Sequence, residues 1–290
     1  MNGIIIVNKP QGFTSHDVVA KLRGILHQKK IGHTGTLDPD ATGVLPVLCG
    51  CATRLSDIIT DETKSYEAVM QLGIVTDTQD ISGRVIKETS VTVSEDELCD
   101  VVSSFIGDIS QIPPMYSAIK VNGKKLYEIA RAGREIERES RQIHIDNIEI
   151  TDISLPYVTI KVNCSKGTYI RTLCNDIGEK LHCGATMTRL VRTKVGRFSL
   201  DKAHTLDEIE ASPEAYVISL EDALAGFPEF TVEPEHEKAL LNGNAIKISW
   251  GSGYTGHGLT VLKDSSGHII GLFKVNDDGA FHPERMLTGN

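Results

Sequence analysis

The chain has 290 residues, 40% of them hydrophobic and 24% charged, with a formal net charge of −9. These are the proportions of an ordinary globular chain, and they exclude collagen, coiled coil or disorder as descriptions of the whole. The longest run free of Asp, Glu, Lys and Arg, Ile248 to Leu262, is Gly- and Ser-rich and too short to cross a bilayer.

The opening MNGIIIVNKP holds four consecutive apolar residues and no basic leader, so no secretory signal is expected and the cytoplasm is the expected compartment. Six cysteines (Cys49, Cys51, Cys99, Cys164, Cys174, Cys183) form no C-x-x-C pair, and His182-Cys183 stands alone. Reduced, buried thiols and no metal site are the expectation. Charge is unevenly spread. Residues 201–290 carry 15 acids and 6 bases, which leaves 1–200 neutral. Within that neutral part, 161–197 carries eight bases against two acids, a local surface suited to phosphates or simply a solvated face.

In chain order, Ile4–Val7 reads as a strand ended by the turn Lys9-Pro-Gln-Gly12. Thr14 or Ser15 is placed to cap a helix whose apolar residues Val18, Val19, Leu22, Ile25 and Leu26 recur at helical spacing. Gly32–Gly43 holds three Gly and one Pro in twelve positions and must be a bent loop rather than helix or strand. Val44–Leu48 is apolar, Ala52–Thr60 reads as helix, and Tyr66–Leu72 alternates as a strand with one buried face. Ser94 and Glu97 have capping-box spacing at the start of a helix. Pro113-Pro114 bars Ile112–Ile119 from a central sheet. Residues 120–141, with seven bases and four acids, read as a protruding arm whose Glu and Arg residues partly neutralise each other.

Ile143–Ile153 and Val158–Cys164 alternate and are expected to pair. Thr168–Leu181 returns to helical spacing, Arg189–Phe198 reads as strand, and Leu206–Leu224 as helix. Beyond Pro228, short β-like runs (Ala245–Ser249, Gly258–Lys263, His268–Val275) alternate with Gly turns, the pattern of a small all-β barrel. The expected organisation is therefore a domain at 1–227, with an arm at about 120–141, and a second at 228–290.

Asp38 is the most informative position. A carboxylate at the apex of a Gly/Thr/Pro-constrained loop is held in one place among backbone N–H groups and hydroxyls, and can serve as covalent nucleophile or general base. Two other readings of Leu37-Asp-Pro-Asp40 stand beside it. One is a plain surface turn. The other is the D-x-D-x-T of phosphoaspartyl phosphotransferases, which requires a buried apolar strand directly before the first Asp, where this chain has Gly32-His-Thr-Gly-Thr36.

The segments Lys9-Pro-Gln-Gly-Phe-Thr-Ser15, Gly32-His-Thr-Gly-Thr-Leu-Asp-Pro-Asp-Ala-Thr-Gly43, Lys64-Ser-Tyr66, Ile112-Pro-Pro-Met-Tyr-Ser-Ala118, Cys164-Ser-Lys-Gly-Thr-Tyr-Ile-Arg171 and Thr188-Arg-Leu-Val-Arg-Thr193 together resemble the bacterial tRNA pseudouridine synthase B (TruB) family. The matches are in order and span residues 1–200. The resemblance implies an α+β fold: a mixed, mainly antiparallel sheet flanked by helices, the pseudouridine synthase fold, followed by a small all-β PUA-like domain. It implies isomerisation of uridine 55 in the T loop of tRNA, with no cofactor, no metal, no membrane, no obligate protein partner and a monomeric chain.

The resemblance makes Asp38 the nucleophile or essential carboxylate, Tyr66 the residue that stacks on the base and relays the C5 proton, and Arg171 the partner that keeps Asp38 ionised. A half-buried sheet tyrosine and a solvent-facing helix-start arginine are the plain alternatives for the last two. Tyr169 and Leu190 are implied to line the uracil pocket, His33 to wedge into the space the base vacates, and Lys9 to support the loop. For RNA contact the candidates are Lys124, Lys125, Arg131, Lys166, Arg189 and Arg192. The arm is expected to clamp the T stem-loop and to order on binding, and the acidic C-terminal part to touch RNA weakly.

Overall fold

The computed structural model describes residues 1–60, 62–121, 123–247, 258–276 and 279–288. The apolar run of β1 (Gly3–Lys9) has no alternation because both faces of the strand are covered. Ile5 and Val7 pack on α1 (Ser15–Ile25), while Ile4 and Ile6 face a second cluster. Thr14 caps α1 with Asp17 in a reciprocal box: Asp17 N–H donates to Thr14 Oγ1 at 3.0 Å and Thr14 N–H to Asp17 Oδ2 at 2.8 Å.

β2 (Ile31–His33) and β3 (Thr42–Cys49) then pair antiparallel, so strand structure enters both ends of the stretch expected to be all loop, and only 34–41 stays irregular. The helix expected at 52–60 is a 3-10 turn over Gly50–Leu55 followed by α2 (Ser56–Thr60). In β4 (Lys64–Leu72) buried and half-buried residues alternate strictly, with Tyr66, Ala68, Met70 and Leu72 inward. A hairpin of β5 (Ile74–Thr76) and β6 (Val85–Glu88) follows. Next comes α3 (Glu95–Ser103), whose cap Ser94 accepts from Glu97 N–H at 3.2 Å, and then the edge strand β7 (Gly107–Gln111).

The arm is not open chain. It holds the hairpin β8 (Lys120–Val121) and β9 (Lys124–Lys125), the short α4 (Leu126–Arg131), and a core of its own from Met115, Leu126 and Ile129. β10 (Arg141–Ser154) and β11 (Tyr157–Cys164) pair as expected. They are followed by α5 (Ile170–Lys180), β12 (Ala185–Val195) and β13 (Phe198–Ser199). The large sheet runs β1-β3-β12-β4-β11-β10-β7, with β2 and β13 at its flank. Only β12 and β3 are parallel neighbours, which makes it mixed and mainly antiparallel. Helices α3 and α5 bury Leu98, Val102, Leu173 and Ile177 against it.

The expected helix over 206–224 is broken into α6 (Leu206–Ala211), a 3-10 turn starting at Pro213, and α7 (Leu220–Ala223), because proline has no N–H to continue the ladder. The C-terminal sheet of β14 (Glu229–Thr231), β15 (Ile246–Lys247), β16 (Leu259–Lys263), β17 (Ile269–Val275) and β18 (Ala280–Met286) has the order β14-β16-β17-β18-β15. One helix, α8 (Pro234–Leu241), interrupts its all-β character. Ile248 and Ser249 of the expected strand at 245–249 lie outside the described residues. Val261, Ile269, Leu272 and Leu287 pack on Ile4, Val44 and Leu55, and Arg54 donates to the carbonyls of Met286 (2.7 Å) and Thr288 (3.0 Å).

Candidate active site

Loop 34–41 is tied down along its length. Thr34 N–H donates to Pro46 O (3.1 Å), Ala41 N–H to Asp38 O (3.1 Å) and Gly12 N–H to Pro39 O (2.9 Å). The buried Ser15 hydroxyl accepts from Leu37 N–H (2.9 Å) and returns its own proton to Leu37 O (3.3 Å). Lys9, fully buried at the end of β1, places its ammonium among the carbonyls of Pro10 (2.9 Å), Phe13 (2.6 Å) and Pro39 (3.0 Å). Burial pulls this lysine down to about 8, against the charges of Asp38 and Asp40. Lys9 thus contacts the loop directly: its ammonium and the backbone amide of Gly12 share the carbonyl next to Asp38.

The loop delivers Asp38 to Arg171. Nε meets Oδ2 at 3.0 Å and Nη2 meets Oδ1 at 3.1 Å, a two-point pair. The Arg171 side chain is 6% exposed and that of Asp38 38%, so the anion has one open side. Arg171 also donates through Nη1 to Asp80 Oδ2 (3.1 Å) and Thr78 O (3.3 Å), and through Nη2 to Tyr116 O (2.8 Å). Burial pushes the Asp38 carboxyl above its usual range and the Asp80 and Asp40 charges add to this, while Arg171 and Lys9 oppose it. The sequence reading did not find Asp80, the second acid on this guanidinium.

Arg171 is the second residue of α5, and Tyr169 is the N-cap of that helix. Gln111, at the end of β7, brackets Tyr169 with its side-chain amide: Tyr169 N–H donates to Oε1 (2.8 Å) and Nε2 donates to Tyr169 O (3.1 Å). Gln111 also escaped the sequence reading. Burial raises the Tyr169 phenol, with Asp38 a further upward influence.

Tyr66 is buried in the main core with Leu37 and Leu190, and burial raises its phenol well clear of neutrality. Asp38 is close enough to raise it further, so the acid and the tyrosine share one electrostatic neighbourhood. Leu190 lies opposite Ala68 in the register, on the face that carries Tyr66. His33 ends β2 with Nδ1 buried and unpaired; burial, then the Arg192 charge, lower its pKa and keep the ring neutral. Among the described residues no group of three His, Cys, Asp or Glu side chains could hold a metal ion.

The basic candidates divide. Lys124, Arg131 and Lys166 are exposed. Arg189 is 62% exposed in its side chain, with Glu67 at 3.4 Å. Lys125 donates to the Tyr127 hydroxyl (3.3 Å), and both it and Arg131 stand 5.4 Å from the Tyr127 ring centre. Arg192 is a correction. At 1% exposure it is inside the molecule, donating from Nε to Val44 O (2.7 Å) and from Nη2 to Gly35 O (3.3 Å), and it cannot be a surface phosphate contact.

The chain is similar in sequence and fold to known proteins. A family model described as TruB family pseudouridylate synthase (N terminal domain) matches residues 23–170, and one described as tRNA pseudouridylate synthase B C-terminal domain matches 171–226. A Clostridium kluyveri protein named tRNA pseudouridine synthase B is 49% identical over 248 residues, covering 85% of this chain and 86% of the relative. One of the same name from Clostridium perfringens (strain SM101) is 44% identical over 294 residues, covering 99% of each. Among solved structures, a Cbf5-Nop10-Gar1 complex aligns with a TM-score of 0.74 and 28% identity, covering 99% of this chain and 85% of that one. An H/ACA RNP bound to a substrate RNA containing 2'-deoxyuridine aligns at 0.73 and 25%, with the same coverage. With family models over more than half its length and relatives near half identity, the chain belongs to the TruB family of pseudouridylate synthases, which are isomerases.

Proposed function

We propose that the protein converts uridine 55 in the T loop of tRNA to pseudouridine, with Asp38 as nucleophile acting on a flipped-out nucleotide. The reaction moves the uracil from an N1 to a C5 attachment on the same sugar. Nothing is oxidised and no water is consumed, so the protein has to supply an anion near the sugar–base unit, a means of moving the C5 proton, and a pocket for the turning ring. A carboxylate answers the first need, as it does for glycosidic cleavage. Tyr66 answers the second, giving its ring face to the base and its oxygen to the proton. Tyr169 and Leu190 line the pocket, and His33 fills the place of the everted base.

One observation carries this reading: the two-point Asp38–Arg171 pair, closed on the protein side and open on the other. That arrangement keeps a carboxylate ionised and aimed without neutralising its free edge. The name shared by the curated relatives supports tRNA as substrate. On this reading residues 1–227 form the catalytic domain and 228–290 a small accessory domain. The exposed bases Lys124, Arg131, Lys166 and Arg189, with Lys125, follow the RNA backbone, and a monomer suffices. The test is tritium release from tRNA carrying 5-³H-uridine, with no metal added. Wild-type protein releases tritium in proportion to uridine converted and Asp38→Asn releases none. Binding of tRNA by the wild type without release would overturn the proposal.

A further inference from the structure

The site contains two buried arginines with opposite company. Arg171 meets two carboxylates. Arg192 meets none among the described residues; its donors go to the carbonyls of Val44 and Gly35, and across the strand pair it faces Tyr66, whose phenol is its charge partner. A fully buried cation held only by neutral groups is costly, because carbonyl dipoles replace just part of the lost hydration. Such a charge makes physical sense where a negative charge appears beside it during the working cycle. Among the described residues the ionisable oxygen that interacts with it is the phenol of Tyr66.

The backbone fixes the pair. Arg192 stands directly opposite Tyr66 in the β12–β4 register, with an irregularity just beyond it before Lys194. On its other side β12 runs parallel to β3, where Gly43 has φ +103°; a Cβ there would strike the Arg192 carbonyl, so the two strands can approach only at a glycine. The side chain then reaches Gly35 in the Asp38 loop. The loop and β3 are therefore joined through one guanidinium, on the strand position opposite Tyr66.

We infer that Arg192 is the positioning residue for Tyr66: it fixes the phenolic oxygen and stabilises the negative charge that oxygen carries once its proton has left. The inference rests on the proposed role of Tyr66. With the phenol proton already passed to solvent, the C5–H bond of the re-attached uracil breaks and its electron pair forms the C5–C6 double bond. The N1–C6 double-bond pair withdraws to N1, which takes a proton from solvent, and the C5 proton passes to the tyrosine oxygen, which later releases it to solvent. The other groups around the pair do not replace Arg192. Cys164 on β11 is pushed up to about 11 by burial and stays neutral. Asp38 repels a phenolate, and His33 on β2 is uncharged at neutral pH. Lys9 on β1 is engaged with the 10, 13 and 39 carbonyls, and Lys64 on β4 donates to the carbonyls of Thr60 and Glu62.

The experiment places 2,3,5-trifluorotyrosine at position 66 of the full chain and follows phenolate absorbance against pH, a readout independent of turnover. Arg192→Met, which keeps volume and drops charge, should move the ionisation upward by about one pH unit or more, a tenfold change in the ionisation constant. Arg192→Lys, with its charge on one nitrogen, should titrate between the two. In the unsubstituted protein, the rise of kcat with pH should shift the same way in Arg192→Met while KM for tRNA stays put. Identical titrations in wild type and Arg192→Met overturn the inference. Where Arg192→Met does not fold, the lysine variant decides: an intermediate shift supports the inference and a wild-type titration overturns it. Absence of tritium release by the wild type would instead strike the proposed function and leave the phenol titration unaffected.

Discussion

Loop 34–41 and the arm at 120–141, taken with the preceding segment 112–119 that shares its core, meet at Arg171, and they are built on different principles. The loop owes its shape to polar side chains sent inward from four separate elements: Lys9 from β1, Ser15 from α1, Arg171 from α5 and Arg192 from β12. The arm owes its shape to a few apolar side chains of its own, with Tyr116 O on Arg171 as one of its ties to the site. A position fixed by many directional bonds suits an atom that must attack in one geometry. A small satellite core opens at lower cost and suits a surface that must fit itself to a large partner.

The sharpest way to break this contrast is at the apex of the loop. Asp38→Asn should lower turnover by about 10³-fold or more, with the fold intact by circular dichroism. The sign of the stability effect follows from the raised pKa. A carboxyl that holds its proton more tightly in the folded chain contributes stability at low pH and loses it as pH rises through the folded value. At neutral pH the ionised Asp38 therefore works against folding, and the amide should leave Tm equal or higher; a large fall would mean that Asp38 is structural. The same shift places the acid limb of kcat above the ordinary aspartate value near 3.8, and an acid limb below it would contradict the burial of this carboxyl.

Arg171→Met comes next. It leaves Asp38 and Asp80 facing each other without a cation, and stripping one partner from a buried charge set costs about 3–5 kcal/mol. The lower end applies here because Asp38 is partly open to solvent. Urea unfolding should show this loss for Arg171→Met and a smaller one for Asp80→Asn, which keeps an acceptor near Nη1. Equal losses would mean that Asp80, not Arg171, organises the site. Lys9→Met should cost turnover about 10²-fold, the scale of an ångström of displacement, with little change in tRNA affinity.

These residues also show what the sequence could and could not reveal. Asp38, Lys9 and Arg171 sit in segments whose Gly, Pro and hydroxyl content announces a built turn, and they are where such segments put them. Asp80 does not stand out, since Thr78-Gln-Asp-Ile-Ser82 reads as any polar turn and its partner lies 91 positions away. Arg192 was legible in principle. It follows Leu190 by two residues in a strand, so both belong to one face, and Leu190 is apolar and buried. The basic composition of 161–197 masks that parity. The apolar spacing over 206–224 predicts one helix, but Pro213 within it breaks the ladder, and the arm's core is hidden in the sequence because three buried side chains leave little trace among eleven charges.

The smallest expected effect lies in the arm, and there the geometry separates two adjacent lysines. Lys124 is exposed, whereas the Lys125 ammonium is occupied by the Tyr127 hydroxyl and ring, which Arg131 flanks as well. Removing a cation that neutralises one phosphate should flatten the dependence of log affinity on log salt by about one unit. Lys124→Gln should therefore reduce the slope measured by tRNA filter binding, and Lys125→Gln should reduce it less while lowering the arm's protection from protease. The kcat of both variants at saturating tRNA should match wild type, because neither side chain touches the loop network. A fall in kcat at unchanged slope would mean that the arm acts on Arg171 through Tyr116 rather than on RNA, and the two regions would then be one device.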